Sequence, residues 1–328
     1  MTSSQTTRAK TIVATILLLP LALFAVKQFL RPSPLHTLPI IAITQIVEHP
    51  ALDAERAGVN LALNKAGYID GKNIKIVYQC AQGSQATAVQ IAQQFAGLAP
   101  KVVVAISTPS AQAALAPCKE SGIPMVFAAI TDPLAAKLVT RLGPREEAVT
   151  GVQDFVPIAE RINFMISTIP NLKRIGVIYN SGEVNSSTIV KLMKIYVQGK
   201  EANIKDMEIV EATANRSSDI PVALNSLLGK IDVLYIPNDN TAVSGISTIV
   251  QWGKDHKIPI LTSDTSLTDT GILAANGYSH MQMGEFAGNQ VVQILNGTFA
   301  GYLPVQTEHE IETVVNQDAA KKLGMYTN

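Results

Sequence analysis

Small polar residues recur in this chain at one kind of place: directly after a short apolar run and directly before a helix-like one. The clearest case is the Val/Ile run at 102–106, which leads into Ser107-Thr108-Pro109-Ser110 and then a small-residue stretch at 111–115. Thr108 or Ser110 suits the N-cap of the helix that starts there, and Pro109 suits its first turn. Free backbone N–H groups and the positive end of the helix dipole also make such a junction a holder of anions, such as a carboxylate. Comparable tips are Thr44-Gln45 with Glu48-His49-Pro50, then Thr131-Asp132-Pro133, residues 180–186, residues 238–241, and Ser263-Asp264-Thr265. Any one of them alone reads as an ordinary helix cap. Together, hydroxyls from one half of the chain and carboxylates from the other suit a zwitterion such as an amino acid. On this pattern Thr108 and Ser110 hold a carboxylate, and Asp239 or Glu183 holds an ammonium.

Catalytic signatures are missing from the sequence. It has no Gly-x-x-x-x-Gly-Lys-Ser/Thr loop, no Gly-x-Gly-x-x-Gly after a strand and no Gly-x-Ser-x-Gly elbow. The histidines (His36, His49, His256, His280, His309) are scattered, with no pair at metal-ligand spacing. Only His49 stands at a strand tip. Asp132 and Asp239 can be posed as paired carboxylates for acid/base work, but nothing in the sequence favours that over ligand binding. Trp252 shares a helical face with Ile246, Ile249 and Val250 and reads as packing.

Alternating strands and helices must position these tips. Strands are predicted at 40–44, 74–79, 102–106, 125–129, 175–179, 207–211, 233–236, 260–262 and 272–275. Helices are predicted at 52–65, 86–95, 110–119, 159–169, 188–200, 222–228, 241–255 and 283–295. This order implies parallel sheets covered by helices on both faces, with ligands at the carboxyl ends of the strands. The series breaks near 140–157 and then restarts, giving an α/β chain of two doubly wound, Rossmann-like lobes. Crossings between them are expected at 149–154, 277–279 and 304–306. Residues 39–153 plus 279–304 form lobe 1, and 154–278 plus 305–328 form lobe 2. A strand-like run at 305–315 and a short helix at 317–323 close the chain.

The 328 residues suffice for two domains of this kind. Lys+Arg at 26 balances Asp+Glu at 26, so no basic excess argues for nucleic acid. Arg8 and Lys10 precede an uncharged apolar run at 11–26, and a Pro-rich spacer (31–38) follows. Residues 1–30 therefore read as a signal peptide or a retained membrane anchor, and both readings export the rest of the chain to the periplasm or its equivalent. Cys80 and Cys118 read as two small buried residues, with a disulfide as the alternative in an exported protein.

Longer segments carry a family resemblance. They include VEHPALDAERAG from Val47, AQGSQATAVQIAQQF from Ala81, AISTPSAQAA from Ala105 and IPMVFAAITDP from Ile123. TGVQD from Thr150, IGVIYNSGEVNS from Ile175, YIPNDNTAVS from Tyr235 and GILAANGY from Gly271 continue the series. Over residues 39–325 the chain resembles the substrate-binding proteins of bacterial ABC transporters with the type I periplasmic-binding fold, in the tryptophan/tyrosine-binding branch. The resemblance implies a two-lobed protein that closes on an aromatic amino acid and delivers it to permease subunits, with no enzymatic activity and no cofactor. Carried over residue by residue, it implies ligand contacts at Gln45, Glu48, Thr108, Ser110, Thr131, Asp132, Asn180, Glu183, Asn185, Asp239 and Tyr278. Tyr278 and Phe127 are aromatics expected near the cleft. The leader lacks the lipobox cysteine of many relatives, and Gln153 stands where a smaller residue is expected. Two other functions compete: a membrane-held ligand-sensing module that acts through a partner protein, and an enzyme on the same two-lobed scaffold.

Overall fold

A computed structural model describes residues 38–199, 204, 206–307 and 309–325; the apolar leader and most of the spacer lie outside them. The run Val102–Ile106 is buried along its whole length. A strand that is apolar on both faces needs helices above and below it, and crossover helices between parallel strands supply them. In chain order the first lobe has β1 (Ile40–Gln45), α1 (Pro50–Lys65), β2 (Lys75–Cys80), α2 (Gln85–Leu98) and β3 (Val102–Ile106). Next come α3 (Thr108–Glu120), β4 (Met125–Ile130) and β5 (Val149–Gln153). The five strands are parallel in the order β2-β1-β3-β4-β5.

The second lobe has α4 (Ile158–Thr168), β6 (Arg174–Tyr179), α5 (Val184–Gln198), β7 (Glu208–Thr213), α6 (Ile220–Asn225) and β8 (Val233–Ile236). It continues with α7 (Asn240–Ser244), α8 (Ile246–His256), β9 (Ile260–Thr262) and β10 (Ala274–Gly277). Helix α9 (His280–Leu295) then packs back on α1, and β11 (Glu312–Val315) and α10 (Gln317–Lys322) end the chain. The second sheet has six strands in the order β11-β10-β9-β8-β6-β7, and β11 is antiparallel to β10. Strand order reverses between β1 and β3 in one sheet and between β6 and β8 in the other. Crevices open at such switch points, at the carboxyl ends of the strands.

Three expectations need correction. The run at 305–315 is not one strand: Val305 and Gln306 bond to Leu142, Gly151 and Gln153 of the first lobe, while β11 pairs with β10 of the second. A straight segment cannot serve both sheets. The helix expected at 241–255 breaks into α7 and α8 at Gly245, where a Cβ would lie 2.2 Å from the Ile220 side chain. Phe127 is fully buried in the first core, under Gly151, and takes no part in the cleft. Trp252 packs in the second lobe as expected, its ring N–H donating to Asn225 at 3.2 Å. Both cysteines are free, and burial pushes the Cys118 thiol up to about 12.

The α1–α9 contact is unusually close because glycines line it. A Cβ on Gly284 would sit 2.0 Å from the Glu55 carbonyl oxygen, and one on Gly58 would sit 2.2 Å from the Met281 carbonyl oxygen. Backbone cannot yield as a side chain can, so Gly284→Ala should destabilise the protein by about 1–3 kcal/mol. Gly97 lies in α2 with open space around it, and Gly97→Ala should be neutral or stabilise by up to about 1 kcal/mol. Urea unfolding of the two variants checks the contrast; equal midpoints would mean that the helices separate at little cost.

Candidate functional site

The polar tips of both lobes meet around an inner cavity of about 40 Å³. Its walls include His49, Ser107 and Thr131 from the first lobe, and Asn185, Asp239 and Asp264 from the second. Asp154 and His280, where the chain passes between the sheets, complete it. A second, outer pocket of about 690 Å³ shares Asn240 with the inner cavity and is lined by Ile46, Val47 and Pro109 from the first lobe and Asn180, Arg216 and Thr241 from the second.

On the first-lobe side the backbone is strained and the hydroxyls have no partners. Ser107 has φ +79° and ψ 155°, and Ala129 has φ +54°. Each such residue costs about 1–3 kcal/mol. Ala129 occupies the register shift between β4 and β5, the kind of bulge that re-aims a strand end. Ser107, rather than Thr108 or Ser110, is the N-cap of α3, and it makes no side-chain cap bond. The hydroxyls of Ser107, Thr108, Ser110 and Thr131 are all buried without a hydrogen-bond partner. The Gln45 side-chain amide donates to Val47 and Asp53, which leaves its carbonyl oxygen buried and unpaired.

The second-lobe acids differ from one another. Glu183 accepts from Asn185 at 2.9 Å, from the Asn240 side chain at 2.6 Å and from the Thr241 hydroxyl at 3.1 Å. It therefore braces its own lobe and, contrary to expectation, has no capacity pointed at a ligand. Asp239 caps α7 through the Ala242 N–H at 2.7 Å and accepts the Asn180 N–H at 2.7 Å. Burial, then the nearby Glu183 charge, push its carboxyl up to about 7. Asn185 donates to Glu183 and to the Asn238 carbonyl, and keeps a buried, unpaired carbonyl oxygen.

Of the expected contacts, Thr131, Asn185 and Asp239 line the inner cavity; Gln45, Glu48, Thr108, Ser110, Asp132, Asn180, Glu183 and Tyr278 do not, although Asn180 and Glu183 border the outer pocket. Glu48 is exposed and accepts from the Tyr78 hydroxyl at 3.2 Å. Asp132 accepts the N–H groups of Leu134 and Ala135, both on Oδ1, in a local turn away from the inner cavity. Asn180 caps its own loop at Gly182, donates to Thr241 and borders only the outer pocket. Tyr278 donates to the Phe155 carbonyl at 3.0 Å and stacks edge-on against His309, which fixes the chain crossing rather than a ligand.

Sequence reasoning missed a buried polar network around these tips. The His280 ring lies 2.9 Å from Glu55 through Nδ1 and 3.3 Å from Asp264 through Nε2. Burial opposes charge on His280, but the two carboxylates outweigh it and hold the imidazole well above its ordinary value. Burial pushes Glu55 up to about 7 against the pull of His280. Asp264 is also opposed by burial, yet the His280 charge and hydrogen bonds bring it below the usual carboxylate range. Burial raises Asp154, which accepts from Asn238 at 2.9 Å and keeps one unpaired oxygen. Burial lowers His49, against the pull of the nearby Asp264 charge. Among the described residues no cluster suits a metal ion.

The family model described as ABC transporter substrate binding protein matches residues 40–328. This chain belongs to the ABC transporter substrate-binding proteins. Their family is one of binding proteins rather than of enzymes, and it works outside the cytoplasm. The chain is 39% identical over 285 residues to the tyrosine-binding protein of Clostridioides difficile (strain R20291), covering 87% of this chain and 81% of that one. A conserved domain protein from Vibrio cholerae matches at 39% identity and TM-score 0.84, covering 88% of this chain and 96% of that one. The ABC domain in complex with L-Trp from Streptococcus pneumonia matches at 31% identity and TM-score 0.81, over 88% and 95%. The two-lobed type I periplasmic-binding fold follows from these likenesses and from the sheet topology.

The raised carboxyls set a pH dependence. Asp239 ionises near its ordinary value in the unfolded chain but only near 7 when folded. The folded state therefore binds the extra proton between about pH 4 and 7, and this contribution to stability is lost as pH rises through 7. Asp239→Asn removes that loss. Its stability relative to the natural protein should climb by at least about 1 kcal/mol from pH 5 to pH 8, whatever its constant offset. Urea unfolding across that range reads it; a flat difference would mean that Asp239 ionises normally in the fold.

Proposed function

We propose that this protein binds an aromatic amino acid, tryptophan or tyrosine, between its lobes and hands it to the permease subunits of an ABC importer. The observation that carries this reading is the ring of buried polar atoms without partners at the strand tips. Hydroxyls and a helix N-terminus stand on one lobe, and carboxylates stand opposite. The names of the relatives point the same way. In this reading Thr108 and Ser110, with Ser107 and Thr131, take the carboxylate, and the oxygens of Gln45 and Asn185 supply further acceptors. Asp239 and the unpaired oxygens of Asp154 and Asp264 take the ammonium. The ring occupies the outer pocket against Ile46, Val47 and Pro109, whose size suits a small ligand. Glu48, Asp132, Asn180, Glu183 and Tyr278 support the site without touching the ligand.

Residues 39–153 plus 279–304 then move as one lobe and 154–278 plus 305–328 as the other. Residues 1–30 direct export, as a cleaved signal peptide or a retained inner-membrane anchor; N-terminal sequencing of the mature protein separates these two.

Calorimetric titration tests the ligand and the site together. Tryptophan or tyrosine should bind, and Thr108→Ala and Asp239→Ala should each weaken binding strongly. Removing one partner of a desolvated charged pair costs about 2–5 kcal/mol. Variants that bind within about twofold of the natural protein, roughly 0.4 kcal/mol, would reduce these residues to helix caps. Small-angle scattering addresses the hinge: saturating ligand should lower the radius of gyration, and no change would count against lobe closure.

A further inference from the structure

Glu55 is completely buried on α1 and does not border the cavity, yet it spends a hydrogen bond on His280 at the first position of α9. The other ring nitrogen of His280 meets Asp264, which caps the segment after β9 in the opposite lobe. Each nitrogen thus faces a carboxylate oxygen. With both carboxyls ionised, a neutral imidazole would turn a lone pair toward one of them, so this geometry then calls for a ring protonated on both sides. Oδ1 of Asp264 is taken by His280, by the Ser266 N–H at 3.0 Å and by the Ser266 hydroxyl at 2.6 Å. Oδ2 is buried without a partner, and Asp264 borders the cavity.

We propose that Glu55, His280 and Asp264 form a carboxylate–imidazolium–carboxylate relay across the two lobes, in which Glu55 and His280 are positioning residues that hold Asp264 for the ligand's ammonium. The ammonium part rests on the amino-acid reading above; the relay itself does not. The support for the relay is rigid. Gly58 and Gly284 bring α1 and α9 into backbone contact, so Glu55 and His280 share one frame, while Asp264 belongs to the other lobe. The titratable groups facing His280 are Glu55 from α1, Asp264 from the second lobe, His49 from the turn before α1 and Asp154 from the crossing after β5. Burial lowers His49, so His280 is the resident cation. Above about pH 7, where Glu55 is ionised, two carboxylates face one imidazolium, and one negative charge is left without a partner. A ligand carrying a single ammonium supplies that partner, so a neutral or anionic solute of the same shape should bind more weakly. The sign of the pH effect follows. The relay is complete while His280 is protonated, and it is lost as pH rises through the raised value.

The test uses the exported chain and tryptophan and tyrosine as probes. Side-chain NMR first measures the His280 titration with and without amino acid in the natural protein, Glu55→Gln and Asp264→Asn. His280 should titrate above the free histidine range and fall toward it in both variants. An ordinary value unmoved by Asp264→Asn would overturn the relay, and this arm needs no ligand. Calorimetry then follows Glu55→Gln, His280→Gln and the double variant. Glu55→Gln, isosteric and outside the cavity, should weaken binding about tenfold in the natural background, and less than twofold once His280 is glutamine, as expected of residues coupled in one network. Equal losses in both backgrounds would make Glu55 a structural residue and overturn the positioning role. Circular dichroism of each variant guards against misfolding, with Glu55→Gln as the mildest change. If the natural protein bound neither amino acid, the amino-acid reading would fall, and the NMR arm alone would judge the relay.

Discussion

A polar group withdrawn from water and left without a partner costs about 1–3 kcal/mol, and this protein gathers such groups at one place. The hydroxyls of Thr44, Ser107, Thr108, Ser110 and Thr131, the amide oxygens of Gln45 and Asn185, and one oxygen each of Asp154 and Asp264 are buried and unpaired. All belong to strand tips or lobe crossings. Elsewhere the pattern is mixed: Arg145 satisfies its guanidinium on the carbonyls of Arg141, Leu142 and Val149, whereas Asn60, Arg161, Asn276 and Gln290 each keep one buried atom unpaired. The larger share of the unpaired set still lies at the tips and crossings. A molecule that supplies the missing donors and acceptors would recover much of that cost on binding.

The fold makes this concentration unavoidable. Parallel strands buried on both faces must be flanked by helices, and all their carboxyl ends then lie along one edge. Two such edges facing each other bring tips from both sheets to one cavity. Strain is stored in the same region: Ser107 and Ala129 carry positive φ, and both border the inner cavity. The cores behind them can hold that strain because they are continuous apolar layers, with β3 and β8 fully buried. The glycine-lined contact of α1 with α9 adds a stiff support directly behind the site.

Charge is organised on the same principle. The chain as a whole is balanced, with 26 basic and 26 acidic residues, so net charge favours neither anions nor cations. Discrimination is local. Glu183 is saturated by its own lobe, Asp239 is held near neutrality by burial and by Glu183, and Asp264 stays ionised because His280 faces it. Three neighbouring acids thus have three different roles, and the partners each one meets, not its residue type, decide which. In a desolvated cavity a misplaced charge costs several kcal/mol, so such an arrangement would favour one ligand charge pattern over another.

The two-lobed parallel architecture was legible in the residues, because a Val/Ile run buried on both faces has few other solutions and the strand–helix alternation stops and restarts once. The hydroxyl tip at Ser107–Ser110 was legible for the same local reason: a strand end followed by Pro and small residues starts a helix. Which acids face the cavity was not. Asp132 and Glu183 look like Asp264 along the chain, but a local turn holds the first away from the inner cavity and three side chains absorb the second. Glu55 and His280 lie 225 positions apart, and no local spacing marks them as partners. The split of 305–315 between two sheets and the break at Gly245 depend on neighbours equally distant in sequence. Strand and helix follow from short-range periodicity and capping, which a linear sequence carries. Whether a polar group is satisfied or left open depends on which distant groups the packed lobes bring beside it, and only the tertiary structure decides that.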